Sequence, residues 1–467
     1  MFFLEFDPKS YINQLSDHNQ KSCNNLKKDN MGKYDVKDGI GIIPHDTVII
    51  EEGAFENRLD LIKVDIPSSV KIIGNSAFEG CENLQEINIP DSVVKIGEKA
   101  FYKCRSLKKI HLPDSIVEIE IWAFSHCTSL EEINIPLLLE KTPEDFLLGC
   151  TSIKEITIPS TIKEISSSTF KGCTALEKIE LPDTIQLIGS GAFSKSGIKE
   201  CIIPDGITTI ANRTFEECES LTHVRIPDSV KIIYAAAFND CKSLKEIQLP
   251  KGLTQMPPSI LGGTFSGSGL EYITIPDTVE LLGSGAFYGC KNLKEVKLSN
   301  SISKIEFRLF FQCHLLEKVE IPSSVTIIER SAFEYCRSLK EIKIPDSVVE
   351  IEKDAFSDCV NVRKIIIPKS IKKIGEYAFY HCKPETLEIF CPLSIRDWGL
   401  DLSETKTLVL GPGVKKFWDL FFFDRKNGEL INNLEVIYVP AKKTNYYMSR
   451  IPKKLHRLIK ELPPENK

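Results

Sequence analysis

Long apolar runs are missing from this chain. No stretch approaches the roughly 18 consecutive apolar residues of a membrane-spanning helix, so none is expected. The apolar start Met1-Phe2-Phe3-Leu4 is broken by Glu5 and Asp7, and no basic residue precedes it. No export signal is therefore expected, and the location read from the sequence is cytoplasmic. The alternative is the cell surface, reached without such a signal. An excess of basic charge is missing too. Lys and Arg total 59 against 65 Asp and Glu, a net charge of −6 that speaks against a nucleic-acid partner. Catalytic and ligand motifs are equally scarce. There is no Cys-x-x-Cys pair, no His-Glu-x-x-His, no Gly-x-Ser-x-Gly and no phosphate-cradling glycine loop. The pairs His126-Cys127, Cys313-His314 and His381-Cys382 are adjacent only in sequence. Neighbours in a turn do not face one another, so no Cys–His nucleophile is expected. The reading is of a protein that is not an enzyme and has no cofactor or metal. With 42% hydrophobic and 27% charged residues, it is a folded chain.

What the chain has in abundance is repetition, a signature that takes precedence over local pattern. Val70-Lys71-Ile72-Ile73 leads through Ala77-Phe78 and Cys81 to Leu84, Ile87, Ile89 and Pro90, and the pattern restarts at Asp91-Ser92-Val93. It returns about every 23 residues. A Phe column runs from Phe55 to Phe379, with Leu147 in the Phe place of one unit. Leu-x-x-Ile-x-Ile suits a short strand with one buried face. The Pro ends that strand, and Asp-Ser or Ser-Ser is turn chemistry. Val-x-x-Ile is a second inward piece. Ala-Phe-x-x-Cys packs small, large and small side chains at the back of a coil. Repeats of constant length stack identical side chains in register, with strands about 4.8 Å apart.

These signatures resemble the BspA-like class of leucine-rich repeats, from about Ile42 to Cys382. The resemblance implies an α/β repeat solenoid of about fifteen rungs, with one stacked parallel sheet and short turns or strands on the other face. It also implies an interaction protein, a few members of the class being adhesins for host matrix proteins. Three regions follow: a lead-in or cap over 1–40, the solenoid over 41–383, and degenerate repeats with a C-terminal capping helix over 384–467. Strand-like pieces persist at Leu387–Phe390, Thr407–Leu410 and Leu434–Pro440. The helix is placed over Tyr446–Leu462, where Leu455, Leu458, Ile459 and Leu462 share one face and Pro452 stands near the start. The Gly- and Pro-rich insertion at 255–269 reads as a surface loop, with a binding loop or a bend as the alternative.

Twelve of the 15 cysteines occupy one repeat position, from Cys81 to Cys382; Cys23, Cys201 and Cys391 lie elsewhere. Parallel side chains in a stack are poorly aimed for bridging, so a column of buried thiols acting as small hydrophobes is expected. The outward column at the strand centre is varied where the inward ones are constant. Its candidate binding residues are Asn88, His111, Asn134, Thr157, Glu180, Arg225, Gln248, Thr274, Lys297, Glu320 and Lys343. Flanking pairs such as Lys199-Glu200 and Glu317-Lys318 alternate in sign and should form weak ladders between rungs. Apart from Tyr272 this face has no aromatic stripe. The expected role is a scaffold for a protein or peptide partner of unknown identity, with a cell-surface adhesin as the alternative.

Overall fold

The computed structural model describes residues 34–258, 260, 262–393, 398–414, 416–417, 421–424 and 428–462. The chain divides into two compact units, one through Ser229 and one from Val230. In the first unit, Lys63–Asp65 pairs in parallel with Glu86–Asn88, residue 63 against 86 and 65 against 88. The register is one repeat, which is why each inward side chain lies over its own counterpart. Glu200–Ile202 and His223–Arg225 pair in the same sense. The Val-x-x-Ile segment makes a second ladder through Ile49–Ile50, Ile72–Ile73, Lys95–Ile96 and Glu118–Ile119.

The back of each coil is neither strand nor helix. Phe55 N–H donates to Ala77 C=O at 2.7 Å, and Phe78 N–H to Ala100 C=O at 2.8 Å. Main-chain bonds that point to the next turn cannot also close a helix. Left-handed residues on both sides of the Phe, such as Ser76 at φ 50° and Gly80 at φ 70°, forbid one outright. The α/β assignment is corrected on this ground: among the described residues the coil contains almost no helix.

Inside, the phenylalanine rings stack. Phe55 and Phe78 lie 5.2 Å apart, as do Phe78 and Phe101, with interplanar angles of 8° and 6°. Such pairs add about 0.5–1.5 kcal/mol to their burial. Tyr34 lies on Phe55 at 5.3 Å and closes the column at its amino end. Val36–Lys37 turns back antiparallel on Ile40–Gly41 beside it. The remainder of the expected lead-in, to residue 33, lies outside the described residues. Leu147 keeps the Phe place, its N–H donating to Thr169 C=O at 2.9 Å, while Phe146 meets Phe124 edge-on at 5.6 Å.

The second unit repeats this plan. Tyr272–Thr274, Glu295–Lys297 and Lys318–Val319 form one parallel sheet. Six strands form another: Glu341–Lys343, Lys364–Ile367, Thr386–Ile389, Thr407–Leu410, Val436–Val439 and Ile459–Glu461. The insertion is absorbed between Met256 and Gly263. Gln255 still pairs with Leu281, and Phe265 still stacks on Phe238 and Phe287 at 5.4 and 5.8 Å.

Two further corrections concern the count and the end of the coil. The turns number about 18 among the described residues, not fifteen. Turns carrying Leu408, Ile437 and Lys460 lack the Phe and Cys columns, yet pair in register with the sheet. The capping helix over Tyr446–Leu462 is absent. Thr444–Met448 makes one short α-helix and Lys453–Leu458 a 3-10 segment. Ile459–Glu461 then joins the sheet as a last strand. Pro452 is extended at ψ 134°, which breaks the helical path. An open strand edge leaves a row of unpaired N–H and C=O groups. The tail answers that demand, as Leu462 N–H does on Val439 C=O at 2.7 Å.

Candidate partner-binding face

Within each unit the sheet register brings the outward residues into a column. Asp65 faces Asn88, Ile202 faces Arg225, Thr274 faces Lys297, and Lys343 faces Ile366. Thr157 bridges to Glu180 without a full strand. His111 and Asn134 follow the paired Ile110 and Ile133. Gln248 is exposed on a segment with no assigned strand, and Glu320 follows the strand ending at Val319. Asn88, His111, Thr157, Glu180, Arg225, Gln248, Thr274, Lys297, Glu320 and Lys343 are all exposed.

Asn134 is the exception. It is half-buried, and its side chain clasps the neighbouring backbone. Nδ2 donates to Leu112 C=O at 2.7 Å, and Oδ1 accepts from Leu112 N–H at 2.8 Å. This residue holds two turns together. It does not present a free polar group to a partner.

Three of the charged candidates already have internal partners. Glu180 meets Lys178 at 2.7 Å, Arg225 meets Asp205 at 3.2 Å, and Glu320 meets Lys318 at 3.2 Å. Lys178 holds the Glu180 carboxyl below its ordinary range. The ladders between turns form as well. Lys199 meets Glu177 at 2.7 Å, Lys294 meets Glu271 at 2.7 Å, and Lys340 meets Glu317. Tyr272, 52% exposed, lies under the Lys294 ammonium. Ile202 is 62% exposed and adds an apolar point to the first unit.

One concavity on this face was not read from the sequence. Around Lys63, Asp65, Gln85, Asn88, Lys108 and Ser129 lies an open groove of about 670 Å³. Short side chains, Ser106 and Ser129, and long ones, Lys63, Lys108 and Lys109, line it together.

The thiols sit inside, not on this face. All fourteen described cysteines are buried. Repeat after repeat, Sγ–H donates to the Phe carbonyl of the preceding turn: Cys81 to Phe55 at 2.9 Å, Cys218 to Phe193 at 2.9 Å, Cys336 to Phe310 at 3.2 Å. Burial pushes the thiols of Cys81, Cys201 and Cys290 up to about 12. A thiol held protonated is neither a nucleophile nor a metal ligand near neutral pH. Among the described residues no group of three or more His, Cys, Asp or Glu could hold a metal ion, and no helix is long and apolar enough to cross a membrane.

Comparison with known proteins identifies the repeat class. A family model described as the BspA type leucine-rich repeat region matches residues 48–177, 163–264 and 258–385. A leucine-rich repeat protein from Bacteroides ovatus is 28% identical, with 76% of this chain and 92% of that one covered and a TM-score of 0.59. A leucine-rich cell surface protein from Faecalibacterium prausnitzii is 24% identical over 72% of this chain and 93% of its own, with a TM-score of 0.45. A leucine-rich repeat protein from Eubacterium ventriosum is 21% identical over 74% of this chain and 91% of its own, with a TM-score of 0.47. No curated protein matches the chain.

Proposed function

Since the chain belongs to the BspA-type leucine-rich repeat family, we propose that it is a non-enzymatic scaffold that binds a protein or peptide partner on its sheet face. One observation carries the reading. Varied, exposed side chains stand one repeat apart on strands whose inward residues barely change. A fixed scaffold with variable outward positions is what a recognition surface requires.

Lys297 and Lys343 test it best, because reversing Arg225 also releases its partner Asp205. A chain carrying Lys297→Glu and Lys343→Glu should lose a partner that the wild-type chain captures, with its thermal unfolding unchanged. A captured partner whose affinity survives both reversals removes these residues from the site.

The same proposal places the protein in the cytoplasm. Fourteen thiols, many donating to main-chain carbonyls, form a core that a reducing compartment preserves. Protease treatment of intact cells separates this from the adhesin alternative. Peptides of this chain released before lysis would move the proposal to the cell surface and make matrix proteins the first partners to test.

A further inference from the structure

Away from the strand face, three successive back turns of the second unit do not follow the usual profile. Aligned on their Ala-Phe-x-x-Cys motifs, they read Ser331 with Glu334-Tyr335, Asp354 with Ser357-Asp358, and Tyr377 with Tyr380-His381. The middle turn carries short side chains and its neighbours carry tall ones. The step leaves an open cavity of about 480 Å³ lined by Glu334, Tyr335, Asp354, Ser357, Asp358, Tyr377 and Tyr380. That volume lies within the usual range for small-ligand pockets, about 300–1,000 Å³.

The walls have one electrostatic character. Three tyrosines, whose ring faces are negative, and three carboxyl groups line it, and His381 lies 3.8 Å from the Tyr380 ring. Tyr377 and Tyr380 meet edge to face at 5.6 Å. Asp358 is oriented from both sides, by His381 Nδ1 at 2.8 Å and by the Ser357 hydroxyl at 3.0 Å. Burial pushes the Glu334 and Asp354 carboxyls above their ordinary range, and the Asp354 and Asp358 charges add to the rise at Glu334. Two of these rings already attract cations of the chain itself: Arg337 lies 5.7 Å from the Tyr335 ring and Lys353 lies 5.8 Å from that of Tyr377. Neither basic residue lines the cavity.

We propose that the cavity formed by Glu334, Tyr335, Asp354, Asp358, Tyr377 and Tyr380 binds an organic cation of the guanidinium or alkylammonium class. Such a group offers N–H donors or polarised methyls to the carboxylates and a flat or rounded face to the rings. The inference is independent of the sheet-face reading, since none of its residues belongs to the outward column.

The test is calorimetric titration of the full chain with argininamide and with tetramethylammonium. Citrulline amide, which keeps the shape of argininamide without its charge, is the control. Saturable binding of at least one cation is expected, with citrulline amide at least about ten-fold weaker than argininamide. Glu334→Gln and Asp354→Asn keep shape and remove charge, and Asn tolerates the left-handed backbone of residue 354. Each should weaken binding several-fold while the unfolding temperature holds. A peptide with one central arginine identifies the source. Binding tighter than that of argininamide assigns the site to a side chain of a protein, and equal or weaker binding assigns it to a free small cation. Failure of both cations to saturate, equal binding of citrulline amide, or unchanged affinity in both variants would overturn the proposal.

Discussion

From Phe310 to Phe379 the second unit is held in register by columns of side chains, and from Thr386 to Glu461 by its main chain. In the first stretch the rings of Phe310, Phe333, Phe356 and Phe379 stack at 5.2, 5.0 and 5.4 Å. The thiols of Cys336, Cys359 and Cys382 each donate to the Phe carbonyl one turn back. The ladders there include two-residue strands such as Ile327–Ile328 and Glu350–Ile351. In the second stretch both columns stop, and the sheet runs on through Thr386–Ile389, Thr407–Leu410 and Val436–Val439 at four residues each, the length already reached at Lys364–Ile367. Phe417, Phe421 and Phe422 cluster at mixed angles where a stack would have been. A solenoid can keep its register by repeated side chains or by longer ladders. The chain uses both at Lys364–Ile367 and the longer ladder alone after it.

High pH should break this comparison open, and it carries the largest expected effect. The thiols of the repeat columns are held protonated up to about 12 at Cys81 and Cys290, whereas an unfolded thiol ionises near 8.5. Between these values the folded chain binds more protons than the unfolded one, so stability falls as pH rises. The slope is on the order of 1.4 kcal/mol per pH unit for each such thiol. Below about pH 8.5 the contribution is fully present. Amide hydrogen exchange between pH 8.5 and 10.5, corrected for intrinsic rates, should show the repeat turns opening before Thr386–Glu461. That stretch contains only Cys391, whose thiol is raised to about 11. Uniform opening of both stretches would mean that they are not held differently.

Phe333 ranks next. Its ring is fully buried between two others. Phe333→Ala should cost about 3–5 kcal/mol and speed exchange at neighbouring turns. Phe333→Leu should cost far less, because Leu147 already fills the same place with the same kind of main-chain bond. Equal losses in urea unfolding would show that the stack, and not the filling of space, sets the cost.

The inward columns were legible because identical residues at constant spacing can only stack on themselves. Phe, Ala, Cys and Ile positions therefore went where the repeat put them. The outward face was legible as a location but not as chemistry. Asn134 reads like Asn88 in sequence, and only the closeness of Leu112 turns it onto the backbone. The tail was misread because Leu455, Leu458, Ile459 and Leu462 fit a helical face, while the demand they answer is an open strand edge set by Val436–Val439. Of the four, Leu455 alone is buried. The tyrosine-lined cavity escaped because its depth lies in differences between three turns, whereas a repeat search looks for what they share.

Tyr447 offers the smallest and sharpest test. Its ring is fully buried and its hydroxyl donates to Gly411 C=O, tying the short helix of the tail to the turn after Thr407–Leu410. Tyr447→Phe keeps the ring and removes that one bond, so about 1 kcal/mol should be lost. The loss should appear in the exchange of Val436–Val439 and Ile459–Glu461 and leave the Phe333 turn unchanged, since each turn of a solenoid is coupled chiefly to its neighbours. A loss that spreads evenly to the repeat turns would mean that the unit opens as one body, and that the change from columns to ladders is a change of sequence without a change of mechanics.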